Sequence, residues 1–80
     1  MTYETIIGIE IAGIRRGLRL TIRYGVERVD GVKEPVLDSV SLQYERKQLP
    51  AGWVLQVLGP RQLKELQEQM IRHWEARTAA

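Results

Sequence analysis

Hydrophobic and polar side chains alternate near the start of the chain, which is the pattern of a strand with one buried face. In residues 3–12, Tyr3, Ile7 and Ile9 share one face, whereas Glu4 and Glu10 lie on the other. Because successive strand residues point to opposite sides of a sheet, the isoleucine face is expected to pack on a core. The segment therefore predicts a first strand that is buried on one side.

A second alternation covers residues 18–26, where apolar positions are separated by Arg19, Thr21 and Arg23. β-Branched residues of this kind favour a strand. Pairing Ile11 with Leu18 places the apolar residues of both strands on one face. Residues 13–16 then form a four-residue hairpin loop, a common length for such a connection.

Asp30-Gly31, between two valines, predicts a tight hairpin, because both central positions of a type I′ turn need positive φ. A third strand follows, but a strict two-residue turn would put its apolar residues opposite Arg23 and Thr21. We therefore expect a one-residue bulge, placed near Gly25 or Pro35. The positions expected to face the core are Val36, Val40, Leu42 and Tyr44.

The last third of the chain predicts a short strand and a helix. Residues 53–58 read as an apolar fourth strand after a turn at residues 49–52. Gly59 suits a helix N-cap and Pro60 the first helical position, where a missing N–H costs nothing. The apolar stripe of the helix consists of Leu63, Leu66, Met70 and Trp74.

These elements predict one α+β domain over residues 1–80, a four-stranded antiparallel β-meander with a C-terminal amphipathic helix packed on one face. Hydrophobic residues make up 44% of the chain and charged residues 28%, a composition typical of globular proteins. A chain of 80 residues builds only a modest core, so a homodimer would stabilise it.

Two compositional features bear on location. The chain has no cysteine, which excludes disulfides and thiol nucleophiles and suits a reducing compartment. Its apolar runs are too short for a membrane span or a secretory signal. We therefore expect a cytoplasmic protein that makes no membrane contact.

Catalytic chemistry has little support in the sequence. His73 is the single histidine, and it lies at the border of the helix stripe, where packing or solvent exposure is the simpler interpretation. No Asp/Glu cluster has metal-ligand spacing, and the scattered glycines form no phosphate-binding loop. The sequence therefore predicts a non-enzymatic protein without cofactor or metal.

The arginine-rich stretch 13–23 is the local excess of charge and the main candidate binding region. Arg15 and Arg16 are expected at the hairpin tip beside Ile14, an apolar and arginine combination typical of interface centres. Arg19 and Arg23 are expected on the outer face of the sheet, away from the helix. The assumed pairing puts Glu10 opposite Arg19, which would temper that charge.

Other hydrophobic and aromatic residues bear on which partner the surface could bind. Ile6 and Leu37 are expected on the same outer face, where an apolar residue suggests that a partner covers it. Trp53 follows a tight turn, so its ring either packs beneath the helix or is presented as a further binding residue. Tyr3, Tyr24 and Tyr44 are expected to point inward, which leaves the outer face without the stacking aromatics of many RNA-binding platforms.

These features favour a small protein-binding module that acts by surface occlusion. An inhibitor or accessory factor of the kind that phages or mobile elements direct against a host nucleoprotein complex, such as a defence system, would fit. Two alternatives stay open. One is DNA or RNA binding through the arginine-rich hairpin, since arginine is a common reader of bases. The other is a small structural or virion subunit.

Overall fold

The computed structural model describes residues 1–78, apart from the side chain of Ile11, and forms one antiparallel sheet with two helical segments. The strands follow one another in the sheet in chain order, as a meander. This arrangement confirms the predicted α+β class. The elements are β1 (Thr2–Ile11), β2 (Ile14–Val29), β3 (Val32–Tyr44), β4 (Lys47–Pro50), α1 (Val54–Val57) and α2 (Pro60–Thr78).

Three two-residue turns connect the strands. Ala12 and Gly13, Asp30 and Gly31, and Glu45 and Arg46 all have positive φ, as both central positions of a type I′ turn require. The Asp30-Gly31 hairpin is as predicted. The four-residue loop over residues 13–16 is wrong, because Ile11 pairs directly with Ile14.

This tighter first turn shifts the partner of every residue in β1. Ile7 lies opposite Leu18 rather than Ile22, and Ile9 lies opposite Arg16. The shift is four residues, an even number, so the face that each side chain occupies is unchanged. The alternation therefore predicted the buried face correctly, although the assumed register was wrong.

The pairing of β2 with β3 contains the expected irregularity. Arg23 pairs with Ser39 and Tyr24 with Leu37, so the register shifts next to Gly25, one of the two places expected, and the additional residue is Asp38 of β3. The bulge restores Val40 and Leu42 to the helix side, opposite Ile22 and Leu20. It also places Leu37 opposite Tyr24, on the helix side, and Val36 opposite Gly25, which reverses the faces predicted for both.

The predicted fourth strand over residues 53–58 is also wrong. The fourth strand is β4, which includes Leu49 and Pro50 of the predicted turn, whereas Val54–Val57 is the short helix α1. Val54 is fully buried and belongs to the core. A helical turn buries Val54 and Leu58 on one side, which a poorly alternating strand could not do.

The core lies between the sheet and the helices. It contains Leu20, Ile22 and Val40 from the sheet and Leu66 from α2, and Met70 of α2 is buried as well. Helix α2 begins at Pro60, and the Leu63 amide donates to the Gly59 carbonyl, as the predicted cap requires. The apolar stripe of α2 was predicted correctly at Leu66 and Met70, which are buried. Leu63 is 38% exposed, at the margin of a cleft. No helix in residues 1–78 combines the length and apolar character needed to cross a membrane.

Candidate functional site

The outer face of the sheet, on the side away from α2, carries three arginines in one row. Arg15, Arg19 and Arg23 alternate along β2 with Gly17 and Thr21, opposite in parity to the buried Leu20 and Ile22. Each arginine is four strand residues from the next, so consecutive arginine Cα atoms are about 13 Å apart. We call Arg15, Arg19, Arg23 and the β1 residues opposite them the arginine face.

The register changes which of these arginines faces a carboxylate. Glu10 pairs with Arg15, not with Arg19 as predicted, and Arg19 lies directly opposite Ile6. Glu4 is opposite Thr21 and therefore diagonal to both Arg19 and Arg23. Arg19 thus lies beside an apolar residue instead of a directly opposed acid.

Ile6 is the exposed apolar residue of this face, with 67% of its surface accessible. Its Cγ2 atom lies 3.4 Å from the position that a Cβ of Gly17 would occupy, so the side chain leans across the neighbouring strand. Gly17 in turn pairs with Gly8, and this glycine pair leaves a gap in the side-chain layer. The Arg15 Nε atom approaches that gap, 4.0 Å from the Cβ position of Gly8.

The remaining predicted binding residues lie elsewhere. Ile14 and Arg16 have the parity of Leu18, so they point to the helix side of the sheet and are exposed there. Arg15 and Arg16 therefore form no shared tip. Trp53 precedes α1 and is 44% exposed, so it does not pack beneath α2.

Sequence reasoning missed a charged arm. Residues 25–36 of β2 and β3 extend past the start of β1 as a two-stranded hairpin. Glu27 pairs with Glu34, and Arg28 pairs with Lys33, so like charges face each other on both sides of the arm. The mirrored order of acid and base on either side of Asp30-Gly31 was the signal that could have revealed it.

A cluster of aromatic rings lies on the helix side of the sheet. The Tyr24 hydroxyl lies 2.5 Å from the His73 Nδ1 atom, and the Tyr3 hydroxyl donates to the Leu66 carbonyl at 3.1 Å. The three rings are in contact, with centroids 5.3 to 6.2 Å apart. The two hydrogen bonds connect β1 and β2 to α2.

Protonation states in this cluster follow from burial. Desolvation, with smaller contributions from Arg77 and the N-terminal amine, lowers the pKa of His73. The imidazole tautomer sets which of the Tyr24 hydroxyl and the His73 Nδ1 atom donates in their hydrogen bond, and the Tyr24 hydroxyl also lies within donating distance of the Met1 sulfur, at 3.7 Å. Burial also raises the pKa of Tyr3 to about 12. Within residues 1–78, no three His, Cys, Asp or Glu side chains are grouped so that they could hold a metal ion.

An apolar cleft of about 360 Å³ separates α2 from β3. Leu37, Leu55 and Leu63 line it together with the buried Leu66 and Met70. Its lining contains few polar groups, so it offers little to orient a reacting molecule.

No protein-family model matches this chain, and no curated protein or solved structure does either.

Proposed function

We propose that this chain is a non-enzymatic protein-binding module that contacts an acidic protein surface with its arginine face. The observation that carries the proposal is the direct pairing of Arg19 with Ile6, which is 67% exposed. Interface centres are enriched in arginine, and apolar anchors beside it supply buried area. The contact would act by occluding the partner, as an inhibitor or accessory factor of a host nucleoprotein complex does.

The charge pattern of the face supports a protein more than a nucleic acid. Glu4 and Glu10 lie among the three arginines, so the net positive charge of the face is small. A phosphate backbone would meet these carboxylates, whereas a protein surface can place basic residues against them. The Tyr24 ring, which is buried, and the Tyr3 ring, which is partly buried, lie on the other side of the sheet, so neither can stack on bases at the arginine face.

The test compares charge reversal on the two faces of one strand. Arg19→Glu reverses the charge at the centre of the arginine face, whereas Arg16→Glu makes the same change in net charge on the helix side. The tagged wild type, Arg19→Glu and Arg16→Glu are used to purify partners from nuclease-treated lysate of the native host. The proposal predicts a defined protein that is retained by Arg16→Glu and lost by Arg19→Glu.

Purified components then decide between the two classes of partner. Titration of the captured protein should give an affinity that falls at least tenfold in Arg19→Glu, a loss of roughly 1.4 kcal/mol or more, and that stays within about twofold in Arg16→Glu. Equal loss in both variants would contradict the proposal. So would a mobility shift of DNA or RNA at low salt whose affinity falls steeply with added salt, since counterion release marks phosphate binding.

A further inference from the structure

Strand β1 forms an open edge of the sheet. The Met1 amine donates to the Tyr24 carbonyl at 2.7 Å, and the Tyr24 amide donates to the Met1 carbonyl at 2.8 Å, so these two residues form a hydrogen-bonded pair. In antiparallel strands such pairs alternate along the ladder. The odd-numbered residues of β1 therefore bond to β2. The residues whose N–H and C=O groups point to the open edge are Thr2, Glu4, Ile6, Gly8 and Glu10.

An exposed edge of this length is a template for another strand. Strand β1 contains no proline or lysine, and Glu4 and Glu10 are its charged residues, which restrict the registers in which a second strand can pair. The Gln62 side chain donates to the Gly8 carbonyl at 2.8 Å, which covers one acceptor near the middle of the edge.

From this edge we infer that the chain forms a homodimer in which β1 pairs antiparallel with β1 of a second copy, about a two-fold axis at Ile6. In this register Ile6 faces its own copy, and Glu4 faces Gly8. Thr2 then faces Glu10, so all five outward-directed residues are paired. The two four-stranded sheets join into one continuous sheet.

The side chains favour this register over the two registers that are shifted by two residues. Moving the partner by two residues in one direction places Glu4 opposite Glu10, and like charges directly opposed are destabilising. Moving it in the other direction places Ile6 opposite Glu4 and leaves Glu10 unpaired. The register centred on Ile6 opposes no like charges and covers an isoleucine that the single chain leaves exposed.

On the helix side of the β1 edge, one buried hydrogen-bond acceptor has no partner within residues 1–78. The Gln69 Oε1 atom is buried and has no hydrogen-bond partner in the described structure. It borders a small cavity of about 110 Å³ between α2 and the β1 edge, which Ile6, Gly8 and Gln62 also line. This cavity therefore places the unpartnered Gln69 oxygen next to the residues of the β1 edge at which the second copy would pair.

Disulfide trapping tests the register directly, since the chain has no cysteine of its own. Hydrogen-bonded antiparallel pairs have Cα atoms about 5.5 Å apart, which a disulfide can bridge. Ile6→Cys should therefore oxidise to a covalent dimer in high yield. Glu4→Cys is the matched control, because its two copies would lie about 13 Å apart in this register and should remain largely uncrosslinked.

Light scattering after gel filtration tests the association itself. Wild type should have twice the chain mass of 9.2 kDa at micromolar concentration. Glu4→Pro removes an edge N–H without removing a bond to β2, so it should be monomeric with an unchanged circular dichroism spectrum, whereas Glu4→Ala stays dimeric. Gln62→Ala should dimerise more tightly because it uncovers the Gly8 carbonyl.

Ile6→Lys supplies a second test if the proline variant does not fold. It places two ammonium groups across the axis, so it should be monomeric and folded. A monomeric wild type, or equal crosslinking of Ile6→Cys and Glu4→Cys, would overturn the inference. Ile6 also belongs to the arginine face, so its variants are read only for dimerisation. Arg19→Glu leaves β1 unchanged and tests the proposed function, so the two proposals fail separately.

Discussion

Arg15 and Arg16 are consecutive in the chain, yet their side chains lie on opposite faces of the sheet, because Arg15 pairs with Glu10 and Arg16 with Ile9. Both belong to β2, which begins directly after a two-residue turn. The arginine-rich stretch is therefore not a flexible basic tip. It is a strand that presents one row of arginines to the outer face and a single arginine to the helix side.

The pairing of Glu10 with Arg15 predicts a face-specific charge effect on stability. Glu10→Lys places two cations opposite each other and should lower the free energy of unfolding by about 0.5 kcal/mol, within the range of cross-strand pairs. Adding Arg15→Glu should restore most of the loss, whereas adding Arg16→Glu should not. Urea denaturation of wild type, Glu10→Lys, Arg15→Glu and their double variant gives the coupling energy, and the double variants with Arg16→Glu and with Arg19→Glu are the controls. Restoration by Arg19→Glu instead of Arg15→Glu would favour the register that the sequence had suggested.

The turn at Ala12-Gly13 predicts a stabilising substitution. Ala12 has φ of 52°, a left-handed conformation that asparagine adopts more readily than alanine. Ala12→Asn should therefore raise the free energy of unfolding by about 0.5–1 kcal/mol. Ala76→Asn, on the exposed surface of α2, should lower it slightly because asparagine is a poorer helix former. Equal effects of the two substitutions in urea denaturation would contradict the turn assignment.

The bond between Tyr24 and His73 predicts lower stability in acid. Burial holds the pKa of His73 below its ordinary value of 6.5, so the unfolded chain binds a proton more readily than the folded chain. Stability should be fully present above pH 6.5 and should fall as the pH drops from there through the lowered pKa.

Thermal unfolding of wild type and His73→Gln between neutral pH and about pH 5.5 checks this, since most carboxylates titrate at lower pH. The wild type should lose stability across that window, and His73→Gln should lose much less. NMR titration of the His73 ring should give a pKa below 6.5. A value above 6.5 would show that the imidazole is charged and that the hydroxyl bond is arranged differently.

The fold class could be predicted because alternation with period two specifies which side of a strand is buried. An error of four residues in the β1 register left the faces of Ile7 and Ile9 unchanged. The helix was equally predictable, since Gly59-Pro60 marks its beginning and Leu66 and Met70 face the core as the stripe requires. In both cases a local pattern carries the information.

The tertiary structure decided which residues pair with each other across the sheet. Ala12 has no strong turn preference, so the two-residue turn became apparent only when β2 was paired with β1, and it moved Arg15 opposite Glu10. Asp38 became the bulge because Val40 and Leu42 must return to the helix side, which is a requirement of packing. Val54–Val57 became helical because this turn of helix lets Val54 and Leu58 fill the core together. The sequence by itself thus determined the buried faces of β1, β2 and α2, whereas the faces of Val36 and Leu37 and the neighbours of Arg19 depended on the register in which the strands pair. The open edge of β1 follows from the order of the strands in the sheet.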